Sequence, residues 1–122
     1  MYLKSYKELI VWQKSIALVK EIYLLTDDFP KSERYGLTSQ LRRAVVSIPS
    51  NIAEGYARKS NKEYSHALAI AYGSGLELET QIVISKELGF GKEDAYLRVD
   101  QLLDEVLRML NRMTAQRLVA TR

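Results

Sequence analysis

Apolar and polar residues recur at helical spacing in the stretch from Leu41 to Arg58. The apolar stripe consists of Leu41, Val45, Ile48, Ile52 and Tyr56. The polar stripe beside it consists of Arg43, Ser47, Ser50 or Asn51, Glu54 and Arg58. Positions repeated every three or four residues share one face of a helix. Because most neighbours of the polar stripe are apolar, we expect this stripe to be partly buried or to face another subunit, where its groups need partners.

Pro49 lies inside this pattern. Proline has no amide donor and crowds the carbonyl of Val45, so the sequence predicts a helix kinked at Pro49. The apolar spacing keeps its phase across the proline, which favours one continuous helix over a helix that ends at Ile48 and a second that starts at Pro49. Gly55, near the end of the stretch, is either a C-terminal cap or a point of close packing.

The first half of the chain also contains the first helix and the start of the second. The first helix is predicted over about residues 7–26, and the segment 27–30, which ends in proline, stops it. Its predicted seam consists of Leu9, Trp12, Ile16, Val19 and Tyr23. Ser32 is the predicted N-cap of the second helix, whose apolar stripe begins at Leu37.

A capping box formed by Ser60 and Glu63 predicts the start of the third helix, and the helix is predicted to end near Leu88. Its predicted core face consists of Tyr64, Leu68, Ala71, Gly75, Leu78 and Ile82. Gly73 and Gly75 lie in the middle of this helix, where each glycine costs about 1 kcal/mol relative to alanine. Close approach of a neighbouring helix is the simplest compensation.

The fourth helix is predicted to begin at Glu93 and Asp94, after Gly89 in a left-handed position. It has two apolar stripes: Ala95, Val99, Leu102, Val106, Met109 and Met113, and Leu103, Leu107 and Leu110. A face this wide suggests contacts on two sides, one within this fold and one with another chain. Four helices with short connections predict an all-α, up-down-up-down four-helix bundle, a single domain over residues 1–122 with an arm at 1–6 and a frayed tail at 114–122.

Composition narrows the class of protein. Apolar residues make up 47% of the chain and there are two prolines, which is typical of a folded domain. The sequence has no cysteine, no long apolar run and no signal-peptide pattern, so we expect a cytoplasmic protein without a membrane partner. The net charge is +3, but residues 31–59 contain six basic and two acidic residues, whereas residues 60–88 contain two basic and four acidic residues. This asymmetry suggests pairing within the chain, pairing between subunits, or a basic face for phosphates.

Catalytic chemistry has little support in this sequence. There is one histidine, no cysteine and no glycine-rich phosphate loop, which predicts a protein that is not an enzyme and has no cofactor. Glu63 and His66 have the Glu-x-x-His spacing of di-iron bundles. Those sites need a second such motif and further carboxylates, and Glu63 already belongs to the capping box, so no metal site is predicted.

Basic residues are interleaved with tyrosines between Tyr56 and Tyr64. One interpretation is phosphate contact by Arg58, Lys59 and Lys62, with Arg42 or Arg34 nearby. The other is that the tyrosines end the core and the charges form a solvated loop. Taken alone, the residues favour the solvated loop.

The polar stripe also has two interpretations, a binding or assembly surface and an internal hydrogen-bond network. We favour the network, which comprises Arg43, Ser47, Asn51, Glu54, Ser74 and Glu77. Glu77 or Glu79 is the expected acceptor for Arg43. Arg43→Ala should destabilise the fold by a few kcal/mol, the effect expected for breaking a buried charge pair.

Three segments, 47–58, 73–81 and 88–89, resemble the bacterial four-helix bundle protein family, which includes proteins encoded in intervening sequences of large-subunit ribosomal RNA genes. The run from Ile48 to Gly55 is distinctive, and the resemblance extends from Tyr6 to about Met113. It implies an up-down-up-down bundle that assembles into ring-like homo-oligomers, with pentamers expected. The chain is also similar to the accessory proteins of diversity-generating retroelements, basic pentameric barrels that engage nucleic acid and a reverse transcriptase.

The resemblance offers no catalytic residues, and the genomic setting implies RNA binding. A ring of five chains would carry a charge of about +15, enough for a salt-dependent attraction to a polyanion. The resemblance therefore implies a non-enzymatic, homo-oligomeric bundle that binds nucleic acid, RNA or DNA and in particular structured RNA, and we expect Arg42, Arg58, Lys59 and Lys62 to be the phosphate contacts. The alternative is a docking scaffold for a partner protein such as a nucleic-acid enzyme, on the wide apolar face of the fourth helix or on the ring surface.

Overall fold

The computed structural model describes residues 5–120, with side chains described for residues 5–114. In this part of the chain the long elements are four α-helices: α1 (Ile10–Thr26), α2 (Leu37–Tyr56), α3 (Asn61–Glu87) and α4 (Glu93–Ala120). Each helix packs against the next, and α4 returns to pack against α1. This arrangement confirms the predicted all-α four-helix bundle.

The predicted arm and tail fall partly on residues 1–4 and 121–122, which lie outside the described residues. Ser5 caps a short 3-10 turn, Tyr6–Glu8, by accepting a hydrogen bond from the Lys7 amide at 3.1 Å. The backbone of α4 is helical to Ala120. Fraying at either end stays a prediction.

The predicted core face of α1 is partly wrong. Ile16 and Tyr23 are exposed, and Leu9, Trp12 and Val19 lie half-buried at the edge of the core. The buried positions are Val11, Ser15, Leu18, Ile22, Leu25 and Thr26. The two hydroxyls on this face are tolerated because each bonds a carbonyl of its own helix: Ser15 donates to Trp12 at 2.7 Å, and Thr26 donates to Ile22 at 2.8 Å.

The predicted start of α2 is also wrong. Ser32 lies in a second 3-10 turn, Lys31–Glu33, and α2 begins at Leu37. The Glu33 carboxylate accepts a hydrogen bond from the Leu37 amide at 3.0 Å, so a side chain four residues upstream satisfies the first free donor of the helix. This turn extends the connection between α1 and α2.

The apolar stripe of α2 is confirmed, since Leu41, Val45, Ile48 and Ile52 are fully buried. The helix is continuous through Pro49, so the alternative of two separate helices is wrong. Two side chains after the proline bond carbonyls on its preceding turn: Ser50 donates to Val46 and Asn51 donates to Ser47, each at 2.8 Å. The kink itself stays a prediction.

Gly55 lies where α2 crosses α3. A Cβ built at this position would clash with the Cβ of Ala67 and lie 3.3 Å from the Tyr64 ring. Of the two alternatives for Gly55, the structure therefore favours close packing. The absence of a side chain brings the end of α2 against the start of α3.

The predicted core of α3 is confirmed, and Ser60 caps the helix by accepting from the Glu63 amide at 3.1 Å. Gly89 follows α3 with a φ of 74°, the left-handed conformation predicted for it. Both stripes of α4 pack into the bundle: Val99, Leu102, Leu103, Val106 and Leu110 are buried, and the others pack against them. The wide face of α4 therefore packs mainly into the core of this chain, and docking of a partner protein there stays a prediction.

Candidate nucleic-acid interface

Three of the four predicted phosphate contacts lie at the corner between α2 and α3. Arg58, Lys59 and Lys62 are all exposed. The Arg58 guanidinium donates to the Glu54 carboxylate one turn earlier at 2.9 Å. Lys59 and Lys62 form no ion pair or side-chain hydrogen bond with the described residues, so their charges are available to a ligand.

The corner also contains a cleft of about 420 Å³, in which positive and negative side chains are balanced. Arg58 and Lys62 line it together with Glu54, Glu63 and His66. Next to it the rings of Tyr56 and Tyr64 meet edge to face, with centroids 6.0 Å apart. Tyr64 is buried and Tyr56 packs against the core, so these two tyrosines end the core, as the solvated-loop interpretation expected.

Arg42 lies elsewhere. It precedes Arg58 by sixteen positions on the same chain, which corresponds to about 24 Å along a helix. Its guanidinium donates to the Thr26 hydroxyl at 2.9 Å and to the Asp27 carboxylate at 3.1 Å. It also lies 4.4 Å from the centroid of the Tyr23 ring. The four predicted residues thus do not form one site.

A second basic site surrounds Arg42, in a cleft of about 650 Å³ that we call the α1–α2 cleft. Its lining residues come from α1, the connection and α2: Tyr23, Arg34, Tyr35, Thr38, Ser39, Arg42, Arg43, Val46 and Ser47. The sequence placed Arg34 near a basic site but did not include Tyr35 or Arg43 in it. The sequence does contain one signal for this site. Arg34 is followed by Tyr35 in the connection between two helices, where a large aromatic side chain has few core residues to pack against.

Half of the predicted polar network forms across α2 and α3. The hydroxyls of Ser47 and Ser74 lie 2.8 Å apart, within hydrogen-bond distance. The Asn51 amide donates to the Ser47 hydroxyl at 3.0 Å. Together these three side chains satisfy one another at a half-buried contact between the helices.

Arg43, Glu54 and Glu77 do not join that network. Arg43 is exposed and forms no ion pair with any described residue, although it lines a groove with Glu77. Glu77 instead accepts from the Gln81 amide at 3.4 Å. Glu79, the other expected acceptor for Arg43, lines a different groove, which Asp100 of α4 also lines.

The expected effect of Arg43→Ala changes accordingly. Since the side chain is exposed and unpaired within the described chain, we expect the free energy of unfolding of a single chain to change by less than about 0.5 kcal/mol. Urea unfolding of the variant and the wild type measures this difference. A loss of a few kcal/mol would instead mean that another chain buries Arg43.

Two other features are absent from the described residues. No group of three or more histidine, aspartate or glutamate side chains there could hold a metal ion. No described helix is long and apolar enough to cross a membrane.

Residues 7–112 match the profile of a family described as 23S rRNA-intervening sequence protein. The match covers most of the chain, including α1 to α3 and most of α4. No curated protein matches the chain.

Proposed function

Because the chain belongs to the 23S rRNA-intervening sequence protein family, we propose that it is a non-enzymatic, homo-oligomeric helical bundle that binds structured RNA or DNA through phosphate contacts. The observation that supports nucleic-acid binding best is the pair of exposed, unpaired lysines at the α2–α3 corner, Lys59 and Lys62. Arg58 adds a third charge, shared with Glu54. Such contacts attract a polyanion without reading its sequence.

The outer face of α3 supports assembly into a homo-oligomer. Its large apolar side chains Ile70, Leu76, Val83 and Ile84 are exposed in the single chain. Gly73 lies on the same face, and a Cβ built there would meet no atom within 4 Å. Since this glycine weakens the helix and gains no packing within the chain, close approach of a second copy would explain it.

A pentamer, the expected assembly, would combine the charges of five chains to about +15.

Gly73→Ala tests the role of this face. We expect the variant to assemble less well than the wild type, because the added methyl separates the helices of two copies. The dissociated chain should at the same time gain up to about 1 kcal/mol of stability, the difference in helix propensity between glycine and alanine. Light scattering measures the assembly and urea unfolding measures the stability.

Glu79→Ala is the matched control, since it is an exposed change on another side of α3. It should leave the assembly unchanged. Unaltered assembly of Gly73→Ala, together with higher stability, would contradict a subunit contact at this glycine.

The double variant Lys59→Gln and Lys62→Gln tests phosphate contact at the corner. We expect weaker binding to an RNA hairpin, and a plot of log affinity against log salt concentration whose slope is smaller by about 2, since each lysine that contacts a phosphate contributes about 1. Fluorescence anisotropy at several salt concentrations provides both values.

The control is the double variant Lys20→Gln and Arg98→Gln, which removes the same net charge from exposed positions on α1 and α4. If both double variants lose affinity equally, the corner has no special role and only the net charge matters. If neither loses affinity, the proposed contacts are wrong.

One observation favours the protein-docking alternative. The exposed apolar face of α3 would suit a partner protein as well as a second copy. A monomer in light scattering, combined with nuclease-resistant binding of a defined partner through this face, would favour the scaffold over the proposed function.

A further inference from the structure

The α1–α2 cleft differs from the corner in its charge. Its lining residues include the three arginines Arg34, Arg42 and Arg43 and no carboxylate, whereas two carboxylates line the corner cleft. Its volume of about 650 Å³ lies within the range of small-ligand sites, about 300–1,000 Å³. A ligand that enters it meets a positive surface.

The arginines have different roles. Arg42 is held in place by hydrogen bonds to Thr26 and Asp27 and packs on the Tyr23 ring. Its position in the cleft is therefore fixed, and the Asp27 carboxylate partly compensates its charge. Arg34 and Arg43 have no ion-pair partner in the described part of the chain. A free guanidinium presents a fork of N–H donors that matches two oxygens of a phosphate.

Tyr35 adds an aromatic surface to these charges. It is 90% exposed, in the connection just before α2. The Arg34 guanidinium lies 5.9 Å from the centroid of its ring. An exposed ring beside unpaired arginines is the combination that holds single-stranded nucleic acids, where a base stacks on the ring and the backbone follows the charges.

We propose that the α1–α2 cleft binds an unpaired nucleotide of a single-stranded nucleic acid. Its base stacks on Tyr35, and its phosphates contact Arg34 and Arg43. This inference rests on the proposed function and specifies which part of the nucleic acid is held. A paired base in a duplex already stacks on its neighbours and is not free to stack on Tyr35, so the cleft selects an unpaired segment while the lysines of the corner contact any phosphate backbone.

Fluorescence anisotropy with three labelled probes tests the inference. The probes are an eight-nucleotide uridine RNA, an abasic backbone of the same length, and a blunt RNA duplex. We expect Tyr35→Ala to weaken binding of the uridine RNA by about 5- to 150-fold, the equivalent of about 1–3 kcal/mol per stacked base. Tyr35→Phe should bind like the wild type because it keeps the ring.

The other probes separate stacking from charge. Tyr35→Ala should leave binding of the abasic backbone and the duplex unchanged. The double variant Arg34→Gln and Arg43→Gln should weaken binding of the uridine RNA and the abasic backbone alike. A thymidine DNA of the same length distinguishes RNA from DNA, which share this phosphate and base chemistry.

Wild-type affinity for the uridine RNA in Tyr35→Ala would overturn the inference, as would an equal loss in Tyr35→Phe. If the wild type binds only structured RNA, and does so through Lys59 and Lys62, the inference fails and the proposed function stands. If no probe or hairpin binds, both fail.

Discussion

Gly55→Ala is expected to lower the free energy of unfolding by about 1–3 kcal/mol, the usual effect of adding a methyl group to a tightly packed contact. The new Cβ would clash with the Cβ of Ala67, which is attached directly to the α3 backbone. A methyl group on a helix cannot rotate out of the way, so α2 and α3 have to separate. Urea unfolding followed by circular dichroism measures the loss.

Two comparisons make this result specific. Gly73→Ala is the same chemical change at a helical glycine with open space around it, and the dissociated chain should become more stable. Adding Ala67→Gly to Gly55→Ala removes the opposing methyl group, so the double variant should be more stable than Gly55→Ala alone. If Gly55→Ala unfolds at the same urea concentration as the wild type, α2 and α3 do not pack closely at this glycine.

Ile48→Ala is expected to destabilise the fold by about 2–5 kcal/mol. Ile48 is fully buried on α2 and reaches towards Gly75 of α3, where its Cδ1 lies 4.0 Å from a Cβ built on that glycine. The truncation leaves a cavity in the middle of the bundle that the helices can close only in part. The measurement is again urea unfolding.

Val46→Ala is the control for Ile48→Ala. Val46 lies two positions earlier on the same helix but is exposed. Its truncation should change the stability by no more than about 0.5 kcal/mol. Equal losses for both variants would contradict the assignment of the buried face of α2.

The periodic pattern predicts α2 and α4 well because in each of these helices the apolar residues mark the buried side. The core face of α3 is also predicted, although Ile70, Leu76, Val83 and Ile84 place further apolar residues on the outer face of that helix. The pattern fails for α1, where two apolar faces compete and the buried one contains Ser15 and Thr26. Each hydroxyl donates a hydrogen bond to a carbonyl of its own helix, so burying it costs little free energy. A pattern based on apolar residues alone treats both positions as exposed. The start of α2 was missed because Glu33, and not a Ser or Thr next to the helix, satisfies the first amide.

The candidate sites were less predictable than the helices. A prediction that groups Arg42 with Arg58, Lys59 and Lys62 neglects the distance along the helix. The sixteen positions between Arg42 and Arg58 correspond to about 24 Å. The partners of Arg42 are on α1 and at its end, fifteen and sixteen positions away, and only the fold brings them together. For the same reason the α1–α2 cleft is apparent only once α1, the connection and α2 are assembled.

The dependence of RNA affinity on salt concentration tests the central claim most directly. For the wild-type protein and an RNA hairpin, we expect log affinity to fall linearly with log salt concentration, by about 0.9 for each phosphate that a basic residue neutralises. Light scattering of the same sample should give the mass of a homo-oligomer. An affinity that does not change with salt, or no detectable binding at low salt, would contradict phosphate recognition by this bundle.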